Sequence, residues 1–229
     1  MRSTELDLSM YDTDKIANGY LRSYDRMFAP LVDRELLLLE IGINRGGSLQ
    51  LWRDYFPRAQ VAGLDIQPLT QLDLGERIQL FQGSQADPDF LDQVARVHAP
   101  GGFDLIIDDG AHVGILSRVA FWHLFEHHLK PGGWYVVEDW GTGYWDDWPD
   151  GQAVSESVVI DPLRSRVVTG NDRIPSHDYG MVGFIKELVD EQGAGDLTIG
   201  AQPSVQRRPS KFASLTVLPS LVFVQKAGG

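Results

Sequence analysis

The sequence predicts an α/β fold, a doubly wound and mostly parallel sheet with an antiparallel terminal strand. Three observations carry this. A leucine-rich strand runs through a glycine turn into a helix at residues 36–56. Strand and helix patterns then alternate without a break. Two short apolar runs end in adjacent acids, Asp108-Asp109 and Glu138-Asp139, as buried parallel strands do where they leave the sheet.

Taken in order, an amphipathic helix is expected from Asp14 to Phe28, with Ile16, Tyr20, Tyr24 and Met27 at helical spacing and Thr13 or Asp12 as cap. Leu36 to Ile41 forms a strand, and Gly42 to Ser48 the turn. Leu49 to Phe56 forms a helix. Gln60 to Ile66 reads as the second strand and Ile78 to Phe81 as the third, with a helix near Asp87 to Val97. The strand ending at Asp109 leads to a helix of about Ile115 to Leu129. After the breaker Lys130-Pro131-Gly132-Gly133 comes the strand Trp134 to Glu138. An aromatic, glycine-rich loop, 140–149, opens a poorly patterned stretch up to Ser176. A helix from Asp178 to Gln192 and strands at Ser214 to Leu218 and Leu221 to Gln225 complete the chain. Residues 1–229 are expected to form one unit, with 1–30 as a helical lid.

With 229 residues, 43% of them hydrophobic, the chain can bury one substantial core. Its net charge of −12 and pI near 4.8 argue against nucleic acid or anionic lipid as partner, since such binding needs clustered Lys and Arg. Arg207-Arg208 and Lys211 form the only small basic cluster. The absence of cysteine removes disulfides and thiolate zinc sites. No run approaches the roughly 20 apolar residues of a membrane span, and the start lacks a signal peptide's apolar core, so a cytoplasmic protein is expected.

The two acid-ending strands are joined by one helical crossover and should pair. Their acids then converge at the sheet edge where open α/β sheets bind ligands. Two full charges about 5 Å apart repel by about 3 kcal/mol at an effective dielectric near 20, so the group demands protonation, a basic partner or a cation. Neither strand end supplies Arg or Lys. Oxygen-only ligation favours magnesium, with manganese or calcium as alternatives, over zinc. An acid at a strand-to-helix junction is also an ordinary helix cap.

The turn Glu40-Ile41-Gly42-Ile43-Asn44-Arg45-Gly46-Gly47-Ser48 departs from the Gly-x-Gly-x-x-Gly dinucleotide pattern. It resembles instead the first motif of class I S-adenosylmethionine methyltransferases, with Asp65 at the end of the second strand where an acid holds both ribose hydroxyls. That resemblance implies cofactor contacts from Glu40, Gly42, Asn44, Gly46, Ser48 and Asp65.

A narrower likeness rests on Thr13-Asp14-Lys15, Gly83-Ser84-Gln85-Ala86-Asp87, Ile107-Asp108-Asp109-Gly110-Ala111-His112, and Glu138-Asp139 followed by Tyr144-Trp145. Together these resemble the macrocin and mycinamicin sugar O-methyltransferases and the related cephalosporin-hydroxylase-like methyltransferases, over roughly residues 12–195. The resemblance implies Asp109, Glu138 and Asp139 as magnesium ligands, His112 as general base with Asp109 beside it, and Ser84 and Gln85 near the adenine. Asp108 reads as a structural or cofactor-side acid. Three carboxylates around a divalent ion leave a net −1, which complements a sulfonium.

Other residues receive plainer readings. His123 and His127 have the i,i+4 spacing of a metal face, but no catalytic Glu stands between them as in zinc proteases, so they and His128 read as a helix face or subunit contact. Tyr144, Trp145 and His177 are candidate acceptor contacts; Tyr20 and Tyr24 read as core. The expected function is transfer of a methyl group from S-adenosylmethionine, with magnesium, to a hydroxyl of a sugar or other vicinal diol on a bacterial natural product or glycan. The expected partner is a small-molecule glycoside or diol/phenol acceptor, and a homo-oligomer is expected. A catechol or phenol acceptor would chelate the same ion, and a non-catalytic cofactor-sensing or scaffold protein would keep the fold without turnover.

Overall fold

The computed structural model describes residues 2–67, 74–156, 177–195 and 208–228. Its sheet has seven strands: β1 (Leu37–Ile41), β2 (Gln60–Asp65), β3 (Ile78–Gln82), β4 (Phe103–Asp108), β5 (Leu129–Glu138), β6 (Phe212–Leu218) and β7 (Leu221–Lys226). They lie in the order β3-β2-β1-β4-β5-β7-β6. The first five are parallel, whereas β7 inserts antiparallel between β5 and β6. The helices are α1 (Asp14–Ala17), α2 (Leu21–Phe28), α3 (Gly47–Tyr55), α4 (Pro88–His98), α5 (Gly114–His127), α6 (Pro149–Glu156) and α7 (Gly180–Gly193).

Successive residues of a strand face opposite ways, and this sorts the core into two layers. On β1, Leu39 and Ile41 pack with Leu91 and Val94 of α4, Phe121 and Leu124 of α5, and Phe184 and Leu188 of α7. Leu38 points the other way, among Tyr24 and Phe28 of α2 and Trp52 and Tyr55 of α3. Strand order reverses between β1 and β4, which leave the sheet on either side of a crevice at their carboxyl ends. No helix among the described residues is long and apolar enough to cross a membrane.

Three expectations need correction. The first helix is two, α1 and α2, broken at Asn18-Gly19, where Gly19 takes φ +72° and bends the chain. β5 begins at Leu129, so Lys130 to Gly133 belong to the strand; the register shift between Phe103 and Leu105 absorbs the turn-forming residues. The stretch after the aromatic loop starts with α6, and its buried Asp150 accepts hydrogen bonds from Gly114 N at 2.7 Å and Met181 N at 2.8 Å, tying the starts of α5 and α7 together. The rest of that stretch, 157–176, and Arg207 of the basic cluster lie outside the described residues. Arg208 and Lys211 are paired with Glu191 and Glu126.

Candidate active site

Residues 42–48 form the turn that opens the crevice. Gly42 (φ +81°) and Gly46 (φ +80°) use the left-handed region, and Asn44 does so at φ 41°. At Gly42 a Cβ would stand 2.1 Å from the Asp109 carbonyl oxygen, so only glycine lets β1 and β4 leave the sheet this close together. Asp65, at the end of β2, accepts from Ile43 N at 3.0 Å, Asn44 N at 3.3 Å and Gln67 N at 2.9 Å. It therefore fixes the turn while remaining partly exposed at the crevice.

Glu40 is fully buried, and its carboxylate is taken up by Ser48 Oγ at 2.8 Å, Trp52 Nε1 at 3.0 Å and Lys15 Nζ at 3.4 Å. In this structure Glu40 and Ser48 support the turn rather than line it. Burial pushes the Glu40 carboxyl up to about 7, against the pull of Lys15.

Strand alternation divides the first acid pair. Asp108 follows Ile106 onto the α4–α5 side, where Tyr135 Oη (3.2 Å), Gly110 N (3.3 Å) and Gln85 Nε2 (3.4 Å) donate to it. Its burial raises the carboxyl to about 7. Gln85 also accepts from Ala111 N at 2.9 Å, which pins the loop that carries His112. Ser84 accepts from Ala86 N at 3.2 Å and stays partly buried on the same rim.

Asp109 turns to the opposite side and meets Glu138. Between them sits a cation that the strand ends do not provide: the fully buried Lys15 Nζ, 2.5 Å from Asp109 Oδ2 and 2.8 Å from Glu138 Oε2. Desolvation works against the ammonium, but Glu138, Asp109 and Glu40 outweigh it and hold its pKa well above the usual lysine value. Of the three ways open to such a group, protonation, a basic partner or a cation, the structure supplies a basic partner, and it comes from the N-terminal segment and not from either strand end. Lys15 lies 94 residues from Asp109 and 123 from Glu138 in sequence, so no local pattern could link them. Burial raises the Glu138 and Asp109 carboxyls even with Lys15 present.

The tyrosines of the N-terminal segment complete the grip. Tyr24 Oη donates to Glu138 and Tyr20 Oη to Asp139. Asp139 takes φ 53°, and His112 takes φ 49°. That backbone brings His112 Nε2 to 3.6 Å from Asp109 Oδ1 and 3.8 Å from Asp139 Oδ2, a group in which each side chain offers one donor atom within 4.8 Å of the others. Glu138 stands behind this trio, only 1% exposed. The His112 carbonyl accepts from Trp148 Nε1 at 3.2 Å and Thr142 Oγ1 at 3.4 Å, and the two rings lie 6.0 Å apart. Trp148 and Tyr20 were not read as site residues; the aromatic loop and the N-terminal helix spacing were the signals present. Tyr144 meets His177 at 5.1 Å between ring centroids, whereas Trp145 is 53% exposed beside Trp148.

No family model matches the chain. It is 34% identical over 213 residues to mycinamicin VI 2''-O-methyltransferase of Micromonospora griseorubida, covering 81% of this chain and 52% of that protein. It is 32% identical over 211 residues to demethylmacrocin O-methyltransferase of Streptomyces fradiae, covering 89% of this chain and 47% of that protein. The chain resembles the macrocin- and mycinamicin-type sugar O-methyltransferases. In structure it overlays the MycE methyltransferase of the mycinamycin biosynthetic pathway, solved with Mg and SAH, with a TM-score of 0.66 and 32% identity over 90% of this chain and 49% of that chain. The seven-stranded architecture is thus the Rossmann-like methyltransferase fold shared with that methyltransferase. The chain spans about half the length of the curated relatives it matches.

Proposed function

We propose that this chain transfers a methyl group from S-adenosylmethionine to a hydroxyl of a sugar or other vicinal diol on a bacterial natural product or glycan, with magnesium at Asp109, Glu138 and Asp139. The observation that carries this reading is the convergence of Asp109, His112 and Asp139 at the carboxyl edge, directly beside the glycine turn that Asp65 fixes. The donor set suits a hard ion. Carboxylate oxygens dominate it, and His112 is a nitrogen donor that magnesium takes poorly. Asp109 and Asp139 are the partly exposed acids and would hold the ion, with the buried Glu138 as the third carboxylate behind them.

The chemistry such an ion supplies is Lewis-acid acidification of a bound hydroxyl. The sulfonium supplies an electrophilic methyl. What remains belongs to the chain. His112 Nε2 takes the acceptor's proton, held to that task by its left-handed backbone and by Trp148 and Thr142 on its carbonyl. Lys15, Tyr20 and Tyr24 fix the acids so that they do not reorganise as charge develops. Gln85 and Asp108 hold the loop before His112, and the turn with Asp65 receives the nucleoside. Tyr144, Trp145 and His177 wall the acceptor side. Residues 1–30 act as a lid in this reading, and a homo-oligomer remains part of it, to be checked by light scattering.

Calorimetry with S-adenosylmethionine, SAH and NAD, followed by methyl-transfer assays with magnesium or EDTA on deoxysugar glycosides and on catechols, tests it. Expected are binding of the first two ligands but not NAD, and turnover on a glycoside that EDTA abolishes. Turnover on catechols alone would move the acceptor to the aromatic class. NAD binding, or ligand binding without turnover on either class, would overturn the enzymatic reading.

A further inference from the structure

Away from the crevice, α4 and the end of α5 bring together three side chains that the methyl-transfer site does not use. His123 Nε2 lies 2.7 Å, and His128 Nε2 2.6 Å, from the same oxygen, Asp92 Oδ1. The three donor atoms lie within 4.8 Å of one another. His127 lines the same cleft, of about 460 Å³, with its ring centroid 5.2 Å from that of His123. His112 stands just before the start of α5 and this cluster at its end, so the helix, roughly 21 Å long for 14 residues at about 1.5 Å each, separates the two.

We propose that Asp92, His123 and His128 form a second metal site, one for zinc or a similar borderline transition ion. Two imidazoles and one carboxylate are the donor mixture that zinc accepts and magnesium avoids. Both histidines already aim Nε2 at a common point. Tetrahedral zinc with bonds of about 2.0–2.1 Å sets its ligand atoms roughly 3.3 Å apart, so each histidine nitrogen needs to draw back from Asp92 Oδ1 by under about 1 Å as the ion replaces the shared hydrogen bonds. A water or His127 completes the fourth position. The location is electrostatically apt as well: His127 ends α5 and His128 caps it, where the helix dipole presents its negative pole to a cation. Arg96 also lines the cleft and sets one like charge against the ion, which the Asp92 carboxylate offsets. The bound ion would clamp α4 to the α5–β5 junction, and it is held at the opposite end of α5 from the acids of the crevice.

The spacing that suggested a metal face in the sequence was His123 with His127. The structure selects His123 with His128 and adds Asp92 from another helix, a carboxylate 31 residues from His123 that the i,i+4 spacing on α5 does not reveal.

The test is uptake of zinc, and of cobalt as its spectroscopic substitute, by the metal-stripped chain in excess magnesium. Wild type and Asp109→Asn should each bind one equivalent, with the intense visible bands of four-coordinate cobalt, and zinc should raise their melting temperature. Asp92→Asn and His128→Gln should bind at least tenfold more weakly and show no thermal shift. Circular dichroism confirms folding, and the partly exposed Asp92 provides a variant that keeps both rings in place. No uptake by wild type would overturn the site, as would uptake lost in Asp109→Asn or unchanged in Asp92→Asn.

Discussion

His112 reaches the acids from a backbone conformation that most residues avoid. A non-glycine residue at positive φ carries strain of about 1–3 kcal/mol, and such residues cluster where a site needs a particular reach. Here Asn44, His112 and Asp139, three of the four among the described residues, border one crevice. If His112 is the base, His112→Ala should lower kcat by about 10² to 10⁴ while leaving SAH affinity unchanged by calorimetry. An unchanged kcat would assign the proton to another acceptor. That His112 would stand near Asp109 was legible from its place three residues on, whereas its role as base came from the family resemblance. Lys15 was legible only as part of a motif, because its partners come from distant strands and a lone lysine in an amphipathic segment reads as solvated. Tyr20 and Tyr24 were read correctly as core, yet their hydroxyls reach Asp139 and Glu138, since an aromatic body buries readily while its polar tip still needs a partner.

Among the elements, strand alternation explains what the acid pairs do. Adjacent residues face opposite sides, so Asp108 is committed to the α4–α5 layer and Asp109 to the layer of α2 and α3. The same rule sets Glu138 with Asp109 and not with Asp108. The β1–α3 turn is a close junction in this arrangement. Gly42→Ala would drive a Cβ into the Asp109 carbonyl at a left-handed φ and displace both the turn and the acid. It should cost at least about 1–3 kcal/mol in chemical denaturation and weaken S-adenosylmethionine binding together with magnesium binding. A variant of full stability would show that the two strand ends tolerate separation. The fused reading of α1 and α2 erred because apolar spacing continued across Asn18-Gly19, where one glycine redirected the chain and thereby delivered Tyr20 to the crevice.

For the molecule as a whole, burial of charge sets a pH dependence. The Glu40 carboxyl titrates at about 7 in the folded chain against an ordinary 4.5. A raised pKa contributes stability that is complete below the unfolded value and is lost as pH rises through the folded one. Asp25, Asp54 and Glu191 are lowered, and their contributions are lost instead on acidification below the usual carboxylate range. The melting temperature in EDTA should therefore fall between about pH 5 and pH 8, and Glu40→Gln should flatten that slope. The raised Asp108 and Glu138 carboxyls keep the remainder of the slope, and an equal slope in both proteins would show that Glu40 contributes none of it.

The sequence by itself determined the alternation of strands and helices, the two acid-ended strands, the glycine turn and the antiparallel finish. Each of these is written in residues that are neighbours along the chain, at periods that burial on a sheet or helix imposes. Only the tertiary structure decided which cation meets the acids and how each acid pair is shared between two layers. It also decided which histidines share a focus with Asp92. Those outcomes depend on groups tens of residues apart, brought together because desolvated charges must find partners wherever the packed core places them.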